Sequence, residues 1–269
     1  MKTIPNIIHF IFGLSPDFGG RPFSFFHYMA IKSAFEVNKP DKIYFLCAYE
    51  PQSEWFEKSR PYLDIQRITP PADIFGNKLN HYAHQADIIR LERLMEYGGI
   101  YLDLDTICVK PFAPLLQNDF VIGEEYFFWN NEETGVTERH LKGLCNAVML
   151  SKPNSSFLKR WYETYKDFRS KGKDEFWAEH SVIIPGKLSK LYRDELFIVE
   201  EDAFFSPSYD DEGLQNMFVK KKLFPNAFVH HLWENVAWEY LQKITPDYVM
   251  KNDNTYNEIA KRFLSECDI

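Results

Sequence analysis

The sequence predicts an α/β fold with a mainly parallel central sheet that is flanked by helices. First, short apolar runs typical of buried strands alternate with helical patterns through the first half of the 269-residue chain, which favours parallel strands joined by helices. Second, the strongest helical pattern ends at two consecutive glycines, Gly98 and Gly99, and glycine commonly terminates helices. Third, the chain is 45% hydrophobic, an ordinary value for a folded domain with a large core.

Each element is assigned from the local periodicity of its apolar residues. The predicted elements, in chain order, are a strand at 4–12, a helix at 23–37, strands at 42–48 and 63–68, a helix at 81–97, strands at 100–102, 121–124 and 147–150, a helix at 157–168, a strand at 228–232 and a helix at 256–264. Residues 127–140 are polar, and we expect a loop over a site there. No linker or internal repeat is visible, so we predict a single domain over residues 1–269.

Composition and charge exclude several classes of protein. The formal net charge of -8 argues against nucleic acid as a partner, although a cation can offset the charge of a bound nucleotide. The four cysteines are scattered without a CxxC pair, which favours reduced thiols in a cytoplasmic protein. No apolar run approaches the roughly 20 residues of a transmembrane helix, and residues 1–5 lack the core of a signal peptide. We therefore expect a cytoplasmic protein, located at the inner face of the membrane if a membrane-associated partner recruits it.

Asp103 and Asp105 are the most informative residues of the chain. They follow the apolar run at residues 100–102, and alternate residues of a strand point the same way, so the two carboxylates can face one spot. Two like charges held together are unfavourable unless a positive charge lies between them. Oxygen ligands suit Mg²⁺ or Mn²⁺, so we predict a divalent cation that carries a phosphate, rather than a solvated surface pair.

The preceding helix brings two further polar side chains toward this end of the sheet. Asp87 and Arg90 are three residues apart and therefore share one helix face. The guanidinium can donate to a phosphate oxygen or a sugar hydroxyl, and the carboxylate can accept from sugar hydroxyls. The alternative is a salt bridge on the helix surface, which would contribute little to stability. Ligands of open α/β sheets bind beyond the carboxyl ends of the strands, which favours the functional interpretation.

Three segments resemble the motifs of one enzyme family. The central segment consists of residues 80–90 (NHYAHQADIIR) and 97–105 (YGGIYLDLD). The opening segment is residues 4–13 (IPNIIHFIFG), and the late segment is residues 230–235 (HHLWEN) with Trp238. Together they resemble glycosyltransferase family 32, whose members have a sugar-binding region that contains a DXD motif. A similar run of helix, two glycines, strand and DXD occurs in the glucosylating domain of large clostridial toxins.

This resemblance implies a GT-A-type nucleotide-binding fold, a nucleotide-sugar donor, and Mn²⁺ or Mg²⁺ as the cofactor. It implies that Asp103, Asp105 and His231 hold the metal, with His230 as the alternative to His231. The residues implied in binding the nucleotide sugar are His9, Phe10, Phe12, Asp87, Arg90, Gly99, Asp103 and Trp238.

The resemblance also implies a reaction that retains the anomeric configuration. No nucleophile is evident in the sequence, which favours front-face attack assisted by the leaving phosphate. Asn146 lies where related sequences carry an asparagine near the reaction centre, so the implied catalytic residues are Asp103, Asp105 and Asn146. Glu124 and Glu125 are candidates for contact with the acceptor.

By the same analogy, residues 1–115 would bind the nucleotide sugar, and residues 116–269 would bind the acceptor and contribute the C-terminal motif. A UDP-hexose is the favoured donor, with GDP-mannose still open, and the predicted acceptor is a glycan or glycolipid of a bacterial surface polysaccharide. Two roles stay open. Gly99 either allows close backbone approach to a ligand or merely turns the chain, and Trp238 either stacks on a ligand or packs in the core.

Two alternative functions fit parts of the sequence. A haloacid-dehalogenase-type phosphatase would use Asp103 as its nucleophile, with Asp210 and Asp211 as a late acidic pair. That family places its nucleophile near the start of the domain, whereas here about 100 residues precede it. The second alternative is a non-catalytic module that binds nucleotide sugars. A degraded transferase would commonly lose a carboxylate or the arginine, and this chain keeps both.

Overall fold

The computed structural model describes residues 3–132 and 134–268. Within these ranges the chain forms eleven β-strands and ten α-helices. The strands are β1 (Ile7–Ile11), β2 (Lys42–Cys47), β3 (Asp64–Arg67), β4 (Asp73–Ile74), β5 (Asn77–Lys78), β6 (Gly99–Leu102), β7 (Thr106–Cys108), β8 (Phe120–Asn130), β9 (Thr137–Ser151), β10 (Phe197–Val199) and β11 (Val229–His231). The helices are α1 (Phe25–Asn38), α2 (Glu54–Ser59), α3 (Tyr82–Tyr97), α4 (Ser156–Glu163), α5 (Ile184–Leu191), α6 (Glu201–Phe204), α7 (Asp211–Phe218), α8 (Glu234–Leu241), α9 (Pro246–Lys251) and α10 (Thr255–Ala260). In these described ranges, no helix has the length and apolarity that crossing a membrane requires.

Seven strands form the central sheet, in the order β10-β8-β9-β6-β1-β2-β3. Strands β6, β1, β2 and β3 run parallel, and β10 runs parallel to β8. Strand β9 is antiparallel to both of its neighbours. The sheet is therefore mostly parallel, and the predicted α/β fold is confirmed. The strands predicted from apolar runs are all present, with shifted ends.

Strands β8 and β9 form a long hairpin that the apolar pattern does not reveal. Pairing continues from Phe127 opposite His140 to Asn130 opposite Thr137, so the predicted polar loop at residues 127–140 is wrong for both arms. Backbone hydrogen bonds hold the two arms together. An exposed hairpin needs no buried face, and its side chains therefore need not alternate between apolar and polar.

Helices cover both faces of the sheet, and the side chains of strand β1 contribute to a hydrophobic core on each face. Phe10 belongs to a core that contains Phe26 of helix α1. The next residue, Ile11, belongs to a second core that contains Leu91 of α3 and Trp161 of α4. Neighbouring residues of a strand point to opposite faces, so a strand that is covered on both sides is apolar nearly throughout.

Helix α3 reaches strand β6 through the predicted two-glycine turn. Gly98 has a φ of 66° and Gly99 a φ of 106°, values that residues with a Cβ rarely adopt. A Cβ at Gly99 would lie 2.5 Å from the carbonyl oxygen of Ile7 on β1. The turn therefore lets the start of β6 approach β1 closely, which fixes the position of the acidic pair that follows β6.

We expect Gly99→Ala to lower the free energy of unfolding by about 3 kcal/mol, because the strained φ and the clash with β1 add together. Gly76→Ala is the matched control, since Gly76 also has a positive φ, of 84°, but open space around its Cβ position. The control should cost only about 1 kcal/mol. Thermal unfolding of both variants measures the difference, and equal losses would show that the close contact with β1 is unimportant.

Candidate active site

A cavity of about 430 Å³ lies beyond the carboxyl ends of β1 and β6, where parallel sheets commonly bind ligands. Its walls come from the segments that follow these two strands, from helix α3, from the β8–β9 hairpin, from residues 173–182, from Tyr209 and from the segment around the end of β11. The lining includes Arg90, Asp103, Asp105, Asn146 and His231. These five residues are predicted site residues that lie far apart in the sequence, and the fold brings them to one cavity.

Strand β11 places His231 beside the acidic pair. It pairs antiparallel with β7, and His231 lies opposite Thr106, the residue after Asp105. The Nε2 atom of His231 is 3.2 Å from Oδ1 of Asp105 and 3.9 Å from Oδ2 of Asp103. One potential ligand atom from each of these three residues lies within 4.8 Å of the others. No other group of three acidic, histidine or cysteine residues converges in this way in the part of the chain that the structure describes.

Protein donors hold one oxygen of each carboxylate and leave the other oxygen facing His231. Oδ1 of Asp103 accepts a hydrogen bond from the Tyr101 hydroxyl at 2.6 Å. Oδ2 of Asp105 accepts one from the backbone N–H of Glu234 at 2.7 Å. The remaining carboxylate oxygens therefore converge with Nε2 of His231. Two carboxylates and one imidazole are a donor set that fits a divalent cation such as Mn²⁺.

The pKa values of the three residues follow from this arrangement. Burial raises the pKa of Asp105, but the His231 imidazole and the backbone N–H of Glu234 outweigh burial and hold that pKa at about 2. Burial lowers the pKa of His231, yet the two carboxylates raise it above its ordinary value. Burial raises the pKa of Asp103, against the opposing effect of Arg90. Positive charge between the carboxylates is therefore favourable, and either a protonated His231 or a bound cation supplies it.

Arg90 lies at the centre of a buried polar network behind the acidic pair. It is 6% exposed, and its Nη1 donates to Oδ1 of Asn146 at 3.1 Å and lies 3.1 Å from Oδ1 of Asp103. Asn146 in turn donates to Oδ1 of Asp87 at 2.7 Å. Oδ2 of Asp87 lies 3.4 Å from Nδ1 of His84. Both carboxylate oxygens of Asp87 therefore have partners within the protein, and the predicted contact of this carboxylate with a donor sugar stays a prediction. The network orients Asp103.

Several residues of the predicted nucleotide-sugar site lie behind the cavity rather than in its lining. The side chains of His9 and Phe10 are fully buried, and Nε2 of His9 is 2.8 Å from the carbonyl oxygen of Gly98. Gly99 is also absent from the lining, whereas Phe12 is part of it. His9 therefore braces the two-glycine turn, and its predicted role in binding a base stays a prediction.

Two residues of the late motif also lie outside the lining. Trp238 packs under the guanidinium of Arg21 at 4.9 Å, and Arg21 itself lines the cavity. His230 is buried and bonded through Nδ1 to the carbonyl oxygen of Ser206. Between the two adjacent histidines, the geometry therefore favours His231 as the residue that acts with the acidic pair.

Lys142 is a cavity residue that its sequence context does not reveal. It forms a β-bulge, because Glu125 lies opposite Gly143 while the next residue, Tyr126, lies opposite Leu141. Bulges commonly redirect side chains next to active sites. The Nζ atom of Lys142 is 2.5 Å from Oε1 of Glu125, and both residues line the cavity. A bulge depends on pairing between strands, so no local pattern distinguishes this lysine from one on the surface.

A family model described as "Glycosyltransferase sugar-binding region containing DXD motif" matches residues 27–129. Glucan organizing enzyme 1 of Cryptococcus neoformans is 32% identical over 271 residues, which cover 98% of this chain and 72% of that protein. An uncharacterized protein of Arabidopsis thaliana is 28% identical over 202 residues, which cover 66% of this chain and 29% of that protein. The family match includes helix α3, the two-glycine turn and the acidic pair.

Two solved structures are similar in fold. The glycosyltransferase GlyE of Streptococcus pneumoniae has a TM-score of 0.50 at 16% identity, over 97% of this chain and 60% of GlyE. Mouse xyloside xylosyltransferase 1 in its apo form has a TM-score of 0.50 at 12% identity, over 85% of this chain and 98% of the mouse chain. At such low identity, the similarity concerns the fold alone.

The fold and the sequence match together define a glycosyltransferase of the GT-A type. The chain belongs to the family of glycosyltransferases whose sugar-binding region contains a DXD motif, and Asp103 and Asp105 are the two aspartates of that motif. The predicted family and the predicted class of enzyme are confirmed. The chain is therefore a glycosyltransferase, and the alternative prediction of a phosphatase that uses Asp103 as its nucleophile is dropped.

Proposed function

We propose that this chain transfers a hexose from a nucleotide sugar, with a UDP-hexose as the favoured donor, to a hydroxyl group of a glycan. Asp103, Asp105 and His231 would hold a divalent cation at the diphosphate of the donor. The observation that carries the proposal is the convergence of two carboxylate oxygens and one imidazole nitrogen within 4.8 Å at the cavity wall. The imidazole favours Mn²⁺ over Mg²⁺, because Mg²⁺ prefers oxygen ligands.

When bound, the cation would stabilise the negative charge that develops on the leaving nucleoside diphosphate. The residues of the chain orient the two carboxylates that would hold the cation. Tyr101 and Arg90 hold Asp103, and the backbone N–H of Glu234 holds Asp105. Because these contacts exist before a donor binds, the acidic pair needs little rearrangement during the reaction.

We further propose that transfer retains the anomeric configuration through attack on the face of the leaving group. The bond from the anomeric carbon to the β-phosphate oxygen breaks, a bond to the acceptor oxygen forms on the same face, and the acceptor proton passes to the leaving diphosphate. A covalent intermediate would need a carboxylate as nucleophile, and pairing with a basic side chain lowers the nucleophilicity of a carboxylate. Among the described residues, each carboxylate in the cavity lining has a basic partner, as in the pairs Asp103–Arg90 (3.1 Å), Asp105–His231 (3.2 Å), Glu125–Lys142 (2.5 Å) and Glu234–Arg21 (3.5 Å). This supports attack without a protein nucleophile, with Asn146 as the candidate for contact with the reacting sugar.

A thermal-shift screen of nucleotide sugars with and without Mn²⁺ tests the proposal. A UDP-hexose at about 100 times its Kd adds about 2.7 kcal/mol to the free energy of unfolding, which is a rise in Tm of roughly 5–10 °C for a chain of this size. The rise should require the metal. His231→Ala should lose the Mn²⁺-dependent part, whereas His140→Ala, which changes an exposed histidine on the hairpin, should keep it.

Two results would contradict the proposal in different ways. If no nucleotide sugar raises the Tm in the presence of metal, the chain does not use the proposed donor class. If a donor raises the Tm but neither transfer to a glycan nor hydrolysis of the donor is detected, the chain is the non-catalytic binding module.

The assignment of residues 1–115 to the donor and 116–269 to the acceptor remains a prediction. The cavity draws on both halves, since Arg90 and Asp105 come from the first and Asn146 and His231 from the second. A bacterial surface polysaccharide as the pathway and a cytoplasmic location also remain predictions. Mass analysis of transfer products and fractionation of the producing cell test them.

A further inference from the structure

One face of strand β8 carries Glu125, Phe127 and Trp129 at alternate positions. Alternate residues of a strand share a face. The residues between them agree with this pattern, because the Tyr126 hydroxyl donates to Oε2 of Glu124 at 3.0 Å. Glu124 and Tyr126 therefore share the opposite face, and the two faces of the hairpin have different surroundings.

The face that carries Tyr126 is tied to the body of the protein. The guanidinium of Arg139 lies 3.5 Å from the centre of the Tyr126 ring and 2.7 Å from Oε2 of Glu201 at the start of α6. Leu141 lies opposite Tyr126 in the hairpin and shares this face. Glu124, one of the two predicted acceptor contacts, thus lies on the side away from the cavity.

The face that carries Glu125 runs from the cavity wall out to solvent. Glu125 is buried in that wall, whereas Phe127 is 37% exposed and Trp129 is 51% exposed. His140 and Glu138 on β9 lie opposite these two rings. Successive residues on one face of a strand lie about 6.7 Å apart, so the row extends about 13 Å from Glu125. A single hexose cannot cover that length.

We propose that this row, together with Lys142, binds an oligosaccharide acceptor. Glu125 and Lys142 contact the sugar that receives the hexose. Phe127 and Trp129 lie under the sugars behind it. Carboxylate and ammonium groups bind hydroxyls, and aromatic rings offer flat apolar surface to the C–H faces of sugars. The inference rests on the proposed function, because it names the acceptor class for the same site: a neutral glycan of two or more sugars.

A membrane surface is another partner for exposed aromatic side chains, and charge argues against it here. Glu132 and Glu138 lie near the tip of the hairpin, and the whole chain has a net charge of -8. Anionic lipid headgroups attract basic segments, so these acids oppose binding to such a surface. A neutral glycan meets no such repulsion, and the row begins at the cavity that an acceptor must enter.

Titration of neutral oligosaccharides into the full chain tests the proposal. The probes are α- and β-linked glucose, mannose and galactose oligomers of one to four units, added to protein that contains UDP and Mn²⁺, with binding measured by calorimetry. We expect at least one tetrasaccharide to bind about tenfold more tightly than its monosaccharide, because it adds contacts with two aromatic rings. The double variant Phe127→Ala/Trp129→Ala should lose this tenfold gain. Leu141→Ala should keep it, since Leu141 is 48% exposed but lies on the other face.

Three results would overturn the inference. The first is an affinity that does not depend on the number of sugars in the glycan. The second is a double variant that binds the tetrasaccharide as tightly as the wild type does. The third is a wild type that binds no glycan but sediments with phosphatidylserine vesicles, while the double variant does not sediment. The Mn²⁺-dependent Tm shift with a UDP-hexose is measured on the same samples. If that shift is present and the glycan effect is absent, the inference fails while the proposed function stands. If both are absent, the proposed function fails as well.

Discussion

Replacing Asp105 with asparagine is expected to lower the rate of the proposed hexose transfer by about 1,000-fold or more. The substitution keeps the size of the side chain and an oxygen that can accept the hydrogen bond from the N–H of Glu234, so the fold should persist. It removes one of the charges that would hold the cation at the leaving diphosphate. A thousandfold loss corresponds to about 4 kcal/mol of transition-state stabilisation. Initial rates across a Mn²⁺ titration measure the effect, and the variant should also need more Mn²⁺.

Asp247→Asn is the matched control for this experiment. Asp247 is exposed on helix α9, where it pairs with Lys251, and its replacement should leave the transfer rate unchanged. Thermal unfolding of each variant separates a loss of chemistry from a loss of folded protein. A rate for Asp105→Asn within tenfold of the wild type at saturating Mn²⁺ would remove Asp105 from the centre of the mechanism.

Replacing Arg90 with alanine is expected to destabilise the whole protein as well as slow the reaction. The guanidinium is buried, and its loss would leave Asp87 as a buried charge without its arginine. Breaking such a buried pair costs about 4 kcal/mol, which lowers the Tm by roughly 10 °C in a chain of this size. Transfer should slow too, because Asp103 loses the partner 3.1 Å from its Oδ1. Arg90→Lys should recover part of the stability, since it restores the charge but not the planar fork.

The control for this prediction is Arg160→Ala. Arg160 forms an exposed pair with Glu195, and loss of such a pair costs about 1 kcal/mol or less. Melting curves of the three variants beside the wild type measure the contrast. Equal Tm values for Arg90→Ala and Arg160→Ala would mean that the buried network contributes no more than a surface ion pair.

The parts of the fold that the sequence predicts are those set by local patterns. Helix α3 spans Tyr82–Tyr97, within one residue of the predicted 81–97. The prediction succeeds because the apolar periodicity of the helix and the glycines that end it are both features of one continuous segment. The strand predicted at 42–48 is found at Lys42–Cys47. Strands that are covered on both faces are apolar nearly throughout, which makes them visible without knowledge of their neighbours.

Features that depend on pairing between distant segments cannot be predicted from such local patterns. The outer arms of the β8–β9 hairpin, residues 126–129 and 137–142, are exposed or half-buried and lack apolar alternation, so nothing local indicates that they pair. The bulge at Lys142 follows from the register of that pairing and is equally invisible. The approach of His231 to the acidic pair depends on β11 lying beside β7. Family resemblance indicates this histidine, whereas periodicity does not.

The pairing of β11 with β7 also bears on when the enzyme becomes competent during its synthesis. The imidazole comes from a strand near the end of the described chain, and it joins carboxylates that are translated long before it. A nascent polypeptide that lacks β11 has the acidic pair but not His231, the third residue of the proposed metal site, although most of the central sheet has already left the ribosome. We expect no transfer activity from the nascent chain until β11 leaves the ribosome and pairs with β7.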